Sequence, residues 1–120
     1  MNCGRAVIVN DTAGIAQAMS RALTEAGLEV ELYTRGIDAL EPLRANPPDV
    51  ILLDQTNWPM KGTDLFAKLS DWTAPPVIFV TPHALDVQRM LGRRATPAAD
   101  YIECITPIAK LVRRVTNLID

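Results

Sequence analysis

Short apolar runs, each closed by a polar residue, recur along this chain, and a helical pattern follows each one. Val50-Ile51-Leu52-Leu53, closed by Asp54, is the clearest. Val77-Ile78-Phe79-Val80 is closed by Thr81, and Ala6 to Val9 by Asn10 and Asp11. A strand with water on one side alternates apolar and polar residues, whereas an unbroken apolar run is covered on both faces. Such strands belong to parallel sheets sandwiched between helices.

The intervening segments supply those helices. Ile15, Met19, Ala22, Leu23 and Ala26 fall on one face at spacings of three and four. Gly27 then stands where a left-handed C-terminal cap is wanted, with apolar Leu28 just beyond. Val30, Leu32 and Thr34 alternate with Glu29, Glu31 and Tyr33, a half-exposed strand. Residues 37–44 form a short helix with Leu40 and Leu43 inward, which Pro42 should kink or shorten. Residues 46–48 and 55–62 are loops, and 63–69 a helix with Leu65, Phe66 and Leu69 packing. Pro82 suits the first turn of a helix running through Val87 to about Gly92. After a loop over 93–99, Tyr101 to Cys104 is the fifth strand. Thr106-Pro107 reads as an N-cap followed by Pro at the first helical position. Ile108, Leu111, Val112, Val115, Leu118 and Ile119 mark the last helix. Five β/α units in 120 residues predict one domain over 1–120, with helices on both sheet faces and right-handed crossovers.

Composition removes several classes of function. With 48% hydrophobic and 22% charged residues the chain is neither disordered nor short of core. A formal net charge of -2 gives no bulk attraction to nucleic acid or to an acidic membrane. No apolar run approaches the roughly 20 residues of a membrane span. The start, MNCGRAVIVN, lacks the pattern of a secretory signal, and Cys3 and Cys104 show neither metal-ligand spacing nor a disulfide framework. A reducing cytoplasm is the expected compartment.

In an open parallel sheet, ligands bind beyond the carboxyl ends of the strands, near the point where strand order reverses. Asn10, Asp11, Asp54, Thr81 and Cys104 would share that rim. Asp11 and Asp54 could hold a hard cation through oxygen. Asp54 could act as a carboxylate nucleophile in acyl-phosphate chemistry, with the Thr81 hydroxyl donating to a phosphoryl oxygen. Each residue also has a plainer reading. Asp54 also reads as the polar closure of a buried strand, Asp11 as an N-cap of the first helix, and Thr81 as an N-cap ahead of Pro82. No Gly-rich phosphate loop of Walker or dinucleotide type occurs, and the lone His83 has no evident nucleophile to serve, so an enzyme is not expected.

The ordered set VIVND (7–11), DVILLD (49–54), the loop from Asp54 to Gly62, VIFVT (77–81) and DYIEC (100–104) resembles the CheY-like receiver domains of two-component response regulators. The likeness covers essentially the whole chain. It implies a flavodoxin-like three-layer α/β/α fold with a five-stranded parallel sheet in the order 2-1-3-4-5. By the same resemblance Asp54 is the phospho-acceptor, and Asp11 one of two acidic metal ligands, with Asn10 in the place of the other. The Thr56 carbonyl is a further ligand, Thr81 the switch hydroxyl, and Tyr101 the rotating aromatic. The implied cofactor is Mg²⁺, and the implied partners are a histidine kinase or phosphotransfer protein and a downstream protein. Self-association through the fourth and fifth helices is the other implied contact, and Arg89, Arg93, Arg94, Arg113 and Arg114 lie in that region.

The departures are as informative as the matches. Cys104 falls at the place of the family's pocket lysine, and a second register that uses Thr106-Pro107 supplies no lysine either. Pro82 follows the switch hydroxyl and lacks the N–H that the family offers there. Asn10 removes one negative charge from the metal site, and Trp58 replaces the usual loop proline, with Pro59 displaced by one. Two functions follow as expectations: a phosphorelay receiver with an atypical pocket and a weakened Mg²⁺ site, or a phosphorylation-independent pseudo-receiver that works by binding or dimerisation.

Overall fold

A computed structural model describes residues 4–54, 61–69, 75–82, 84–91, 99–104 and 106–119. Strands β1 (Arg5–Val9), β2 (Glu29–Tyr33), β3 (Val50–Leu53), β4 (Val77–Thr81) and β5 (Asp100–Glu103) alternate with helices α1 (Ala13–Glu25), α2 (Gly36–Ala45), α3 (Gly62–Leu69), α4 (Ala84–Leu91) and α5 (Ile108–Ile119). The strands form one sheet in the order β2-β1-β3-β4-β5, and every neighbouring pair is parallel. The α/β class and the 2-1-3-4-5 order expected from the sequence are those observed.

Pleating divides the core into two layers, because successive side chains on a strand leave by opposite faces. Ala6, Ile8, Leu52, Ile78, Val80 and Ile102 meet Met19 and Leu23 of α1 and Leu111 and Val115 of α5. Val7, Val9, Ile51, Leu53 and Phe79 meet Ala39 and Leu43 of α2, Leu65, Phe66 and Leu69 of α3, and Val87 of α4. The continuous apolar runs of β1, β3 and β4 are therefore covered on both sides. The outer strand β2 is not. Glu29 and Glu31 are exposed and Val30 is half-buried, as the alternating pattern predicts. The pattern fails beyond them, where Leu32 is exposed and Tyr33 packs against the α2/α3/α4 layer.

Most local signals act where they were expected. Gly27 takes φ 99°, and α1 ends with Leu28 N–H donating to the Leu23 carbonyl (3.1 Å) and Gly27 N–H to that of Thr24 (3.0 Å). That pair of bonds satisfies two orphan carbonyls, and only glycine reaches the required conformation without strain. Helix α2 passes through Pro42 without being shortened by it. Several boundaries shift. α2 and α3 each begin one residue early, at Gly36 and Gly62. α4 begins only at Ala84, so Pro82 lies in the turn ahead of the helix and not in its first turn, because Thr81 is still paired with Glu103 in the sheet. β5 ends at Glu103, so Cys104 lies just past the strand rather than in it. Pro107 caps α5 instead of opening it, since its carbonyl accepts from Lys110 (2.9 Å) and Leu111 (3.2 Å). Among the described residues no helix is long and apolar enough to cross a membrane.

Candidate functional site

Burying a polar side chain costs free energy unless it finds partners, so the few that are buried mark places where something other than packing was selected. Among the described residues these are Asn10 (4% exposed), Asp54 (4%), Thr63 (9%) and Thr81 (0%). They gather at one end of the molecule. Asn10 and Asp54 follow the last residues of β1 and β3, Thr81 ends β4, and Thr63 is the second residue of α3. The order β2-β1-β3 reverses direction between β1 and β3, so Asn10 and Asp54 flank the crevice where ligands of such sheets bind.

The register fixes the two closely. Val9 pairs with Leu53, and Asp54 N–H donates to the Val9 carbonyl at 3.0 Å. Asn10 N–H donates to the Tyr33 carbonyl at 3.0 Å. Asn10 and Asp54 thus stand side by side at one level of adjacent strands. Both lie two residues beyond core residues of the α1/α5 layer, Ile8 and Leu52, and so share that face of the sheet. Leu53 pairs with Phe79, which puts Thr81 one step further out on the next strand and on the opposite pleat. α3 closes the crevice from the side. A Cβ on Gly62 would stand 2.6 Å from the Asp54 carbonyl oxygen and 3.0 Å from a Phe79 ring carbon, so only glycine lets the helix come this near.

Asn10 also organises the turn into α1. Its Oδ1 accepts the Thr12 N–H at 2.7 Å, while Thr12, at the N-cap, makes no side-chain cap of its own. The N-cap position expected at Asp11 is taken by Thr12, Asn10 closes the turn just before it, and Asp11 is exposed. Asp11 lies beside the crevice by chain position and, unlike Asn10 and Asp54, is not buried within it.

The remaining predicted residues fall in different places. Tyr101 pairs with Phe79 across β4 and β5, and their rings stack with planes 8° apart and centroids 6.1 Å apart. The aromatic is thus half-buried against the α2/α3/α4 layer, beneath the β4 end that carries Thr81. Cys104 is half-buried against the other layer, packed with the core beside α1 and α5. Pro82 is exposed directly after Thr81. Thr56, Trp58, Pro59, His83, Arg93 and Arg94 lie outside the described residues. Lys110 is exposed on α5, and Lys61 is exposed at the entrance to α3, where its carbonyl accepts from Leu65 at 3.0 Å.

As a cation site the described part of this crevice is incomplete. Two carboxylates flank it, one buried and one exposed, and no group of three or more His, Cys, Asp or Glu side chains converges among the described residues. A hard cation prefers charged oxygen ligands, and the residue beside Asp54 is an amide whose oxygen already serves the backbone. Two further features were not anticipated from the sequence, the burial of Thr63 and the steric role of Gly62. The fixed spacing from Asp54 to Gly62 was the available signal for the second.

Comparison with known proteins agrees with this geometry. Residues 6–116 match the family described as response regulator receiver domain. The chain is 33% identical over 116 residues to the transcriptional regulatory protein CreB of Escherichia coli strain K12, covering 90% of this chain and 50% of that protein. It is 33% identical over 109 residues to CseB of Streptomyces avermitilis, covering 91% of this chain and 46% of the relative. The chain thus spans about half the length of these curated relatives. Among solved structures, the beryllofluoride-activated receiver domain of RstA from Klebsiella pneumoniae superposes with a TM-score of 0.85 at 25% identity, covering 96% of this chain and 97% of that one. A buried carboxylate and hydroxyl at the carboxyl ends of the central strands, a parallel sheet in the order 2-1-3-4-5 and a match over nearly the whole length converge on one statement: this chain belongs to the response regulator receiver domain family.

Proposed function

We propose that this receiver serves a phosphorelay in which Asp54 accepts a phosphoryl group, and that its output is a changed protein–protein contact. The reading rests on one observation. All four buried polar side chains among the described residues, Asp54 included, lie at the carboxyl end of the central strands or at the start of α3 beside it. In the transfer, an Asp54 carboxylate oxygen forms a bond to phosphorus as the bond to a donor histidine nitrogen breaks, and that nitrogen keeps the electron pair. The Thr81 hydroxyl donates to a phosphoryl oxygen, and Tyr101, stacked on Phe79, carries the resulting shift of β4 towards α4 and α5.

The pocket is atypical. Cys104 brings no ammonium, and Pro82 brings no N–H. A hydrogen bond to a charged group contributes about 1.5–3 kcal/mol, so two such losses shorten phosphoryl retention by orders of magnitude. The partners in this reading are a histidine kinase or phosphotransfer protein in the cytoplasm, and a downstream protein or a second copy at the α4–α5 face. Pro82 also favours a second reading, a binding module of the same fold that works without phosphorylation.

Incubation with a small phosphodonor, or with a phosphorylated phosphotransfer protein, separates the two. A mass gain of one phosphoryl group that Asp54→Ala abolishes supports the relay. An unchanged mass under both donors supports the binding module.

A further inference from the structure

We propose that Asn10 is a hydrogen-bond donor in the Asp54 crevice and not a ligand to a cation, so that divalent metal binds this pocket only weakly. Only the carbonyl end of the side chain can accept a backbone N–H, so the 2.7 Å bond from Thr12 fixes which way the amide lies. Oδ1 faces the turn into α1, and Nδ2 takes the other arm. Nδ2 has no hydrogen-bond partner among the described residues, although Asn10 is only 4% exposed. A buried donor left unpaired is costly, which points to an acceptor that this crevice is built to receive.

The register says which side of the crevice that donor occupies. Asn10 and Asp54 stand at one level of adjacent parallel strands and on one face, as the Val9–Leu53 pair and the Ile8 and Leu52 layer require. An oxyanion on Asp54, whether its own carboxylate or a group it carries, is an acceptor of the right charge. A divalent cation is not. It would meet an N–H where it needs oxygen, and an Oδ1 that bears no charge and already takes the Thr12 N–H. The inference concerns the resting protein and holds whether or not Asp54 is phosphorylated, so it can fail separately from the relay reading.

Asn10→Asp gives a clean test because it is nearly isosteric. One carboxylate oxygen keeps the Thr12 N–H, and the other replaces Nδ2 with a charged ligand. Unphosphorylated wild type and variant are titrated with MgCl₂ at constant ionic strength, and the backbone amide resonances of Thr12 and Asp54 are followed by NMR. The spread of the same spectrum reports whether each protein is folded. Wild type should show no saturable shift below about 10 mM, and Asn10→Asp should bind about tenfold more tightly or better, as an added carboxylate ligand requires. Saturation of the wild type below about 10 mM would overturn the proposal, since a pocket short of charged oxygen ligands should not fill in that range. Equal affinity in the two folded proteins would overturn it as well. The titration of wild type decides the matter alone if the variant does not fold.

Discussion

The backbone of α3 rests on the backbone of Asp54: a Cβ placed on Gly62 would lie 2.6 Å from the Asp54 carbonyl oxygen. Neither partner can yield as a flexible side chain would, because the atom met is a main-chain oxygen at the end of β3. Position 62 is therefore a distance gauge between the helix and the candidate acceptor.

Gly62→Ala should cost about 1–3 kcal/mol, the usual penalty for forcing atoms into filled space. Urea unfolding measures it. Because the displaced group is Asp54 itself, the Asp54 amide resonance should move more than those of β1. Unfolding at an unchanged urea midpoint would show that the close approach does not matter.

Phe79 is the keystone of the α2/α3/α4 layer. It is fully buried, meets Phe66 edge-on at 5.7 Å and stacks on Tyr101 at 6.1 Å. Phe79→Ala should destabilise by about 3–5 kcal/mol, as large-to-small aromatic changes do. Phe79→Leu should cost less while still removing the Tyr101 stack, so the Tyr101 ring resonances of that variant report the lost contact.

The pH behaviour of Tyr33 follows from its surroundings. Loss of solvent raises its phenol above the ordinary value of 10.0, the Glu31 carboxylate adds to the rise, and Arg5 opposes it. The neutral phenol is thus the form the fold favours. Any stability it confers is unaffected below the ordinary value and is lost as pH climbs from there through the raised value. Ultraviolet titration should show Tyr33 ionising late, with Glu31→Gln bringing its transition down and Arg5→Met moving it further up.

Arg114 of α5 grips Asp100 of β5 with two nitrogens. Its Nε donates to Oδ2 at 2.7 Å, its Nη2 donates to Oδ1, and the same Nη2 reaches the Tyr101 carbonyl at 3.3 Å. With the two side chains 41% and 27% exposed, solvent screens much of the attraction. A double-mutant cycle on Asp100→Asn and Arg114→Gln should give a coupling below about 1 kcal/mol that shrinks with added salt.

The architecture was legible because its signals are local and repeated. Unbroken apolar runs at 50–53 and 77–80 are meaningful only for strands covered on both faces, and Gly27 sits where a helix needs a left-handed residue. Boundaries were less legible. Cys104 continues the apolar-polar pattern of β5, yet the Thr106 N–H turns back to the Glu103 carbonyl at 2.9 Å and ends the strand first. The site was legible as a set of strand-end residues but not in its internal bonding. Nothing in the letters Asn-Asp-Thr says that Asn10, rather than Asp11, turns its oxygen to the Thr12 N–H. That choice depends on how tightly β1 is held between β2 and β3, a tertiary property.

β2 and β5, the two outer strands, leave rows of backbone donors and acceptors with no neighbour in the sheet. Arg5 offsets Glu31 on one rim and Arg114 offsets Asp100 on the other, which leaves Glu29 and Glu103 exposed along them. A second molecule adding itself to either rim would have to strip water from these carboxylates and, in β2-to-β2 pairing, bring like charges together. The sheet thus resists growing by addition of strands, which leaves its helical faces as the surfaces through which copies or partners can meet.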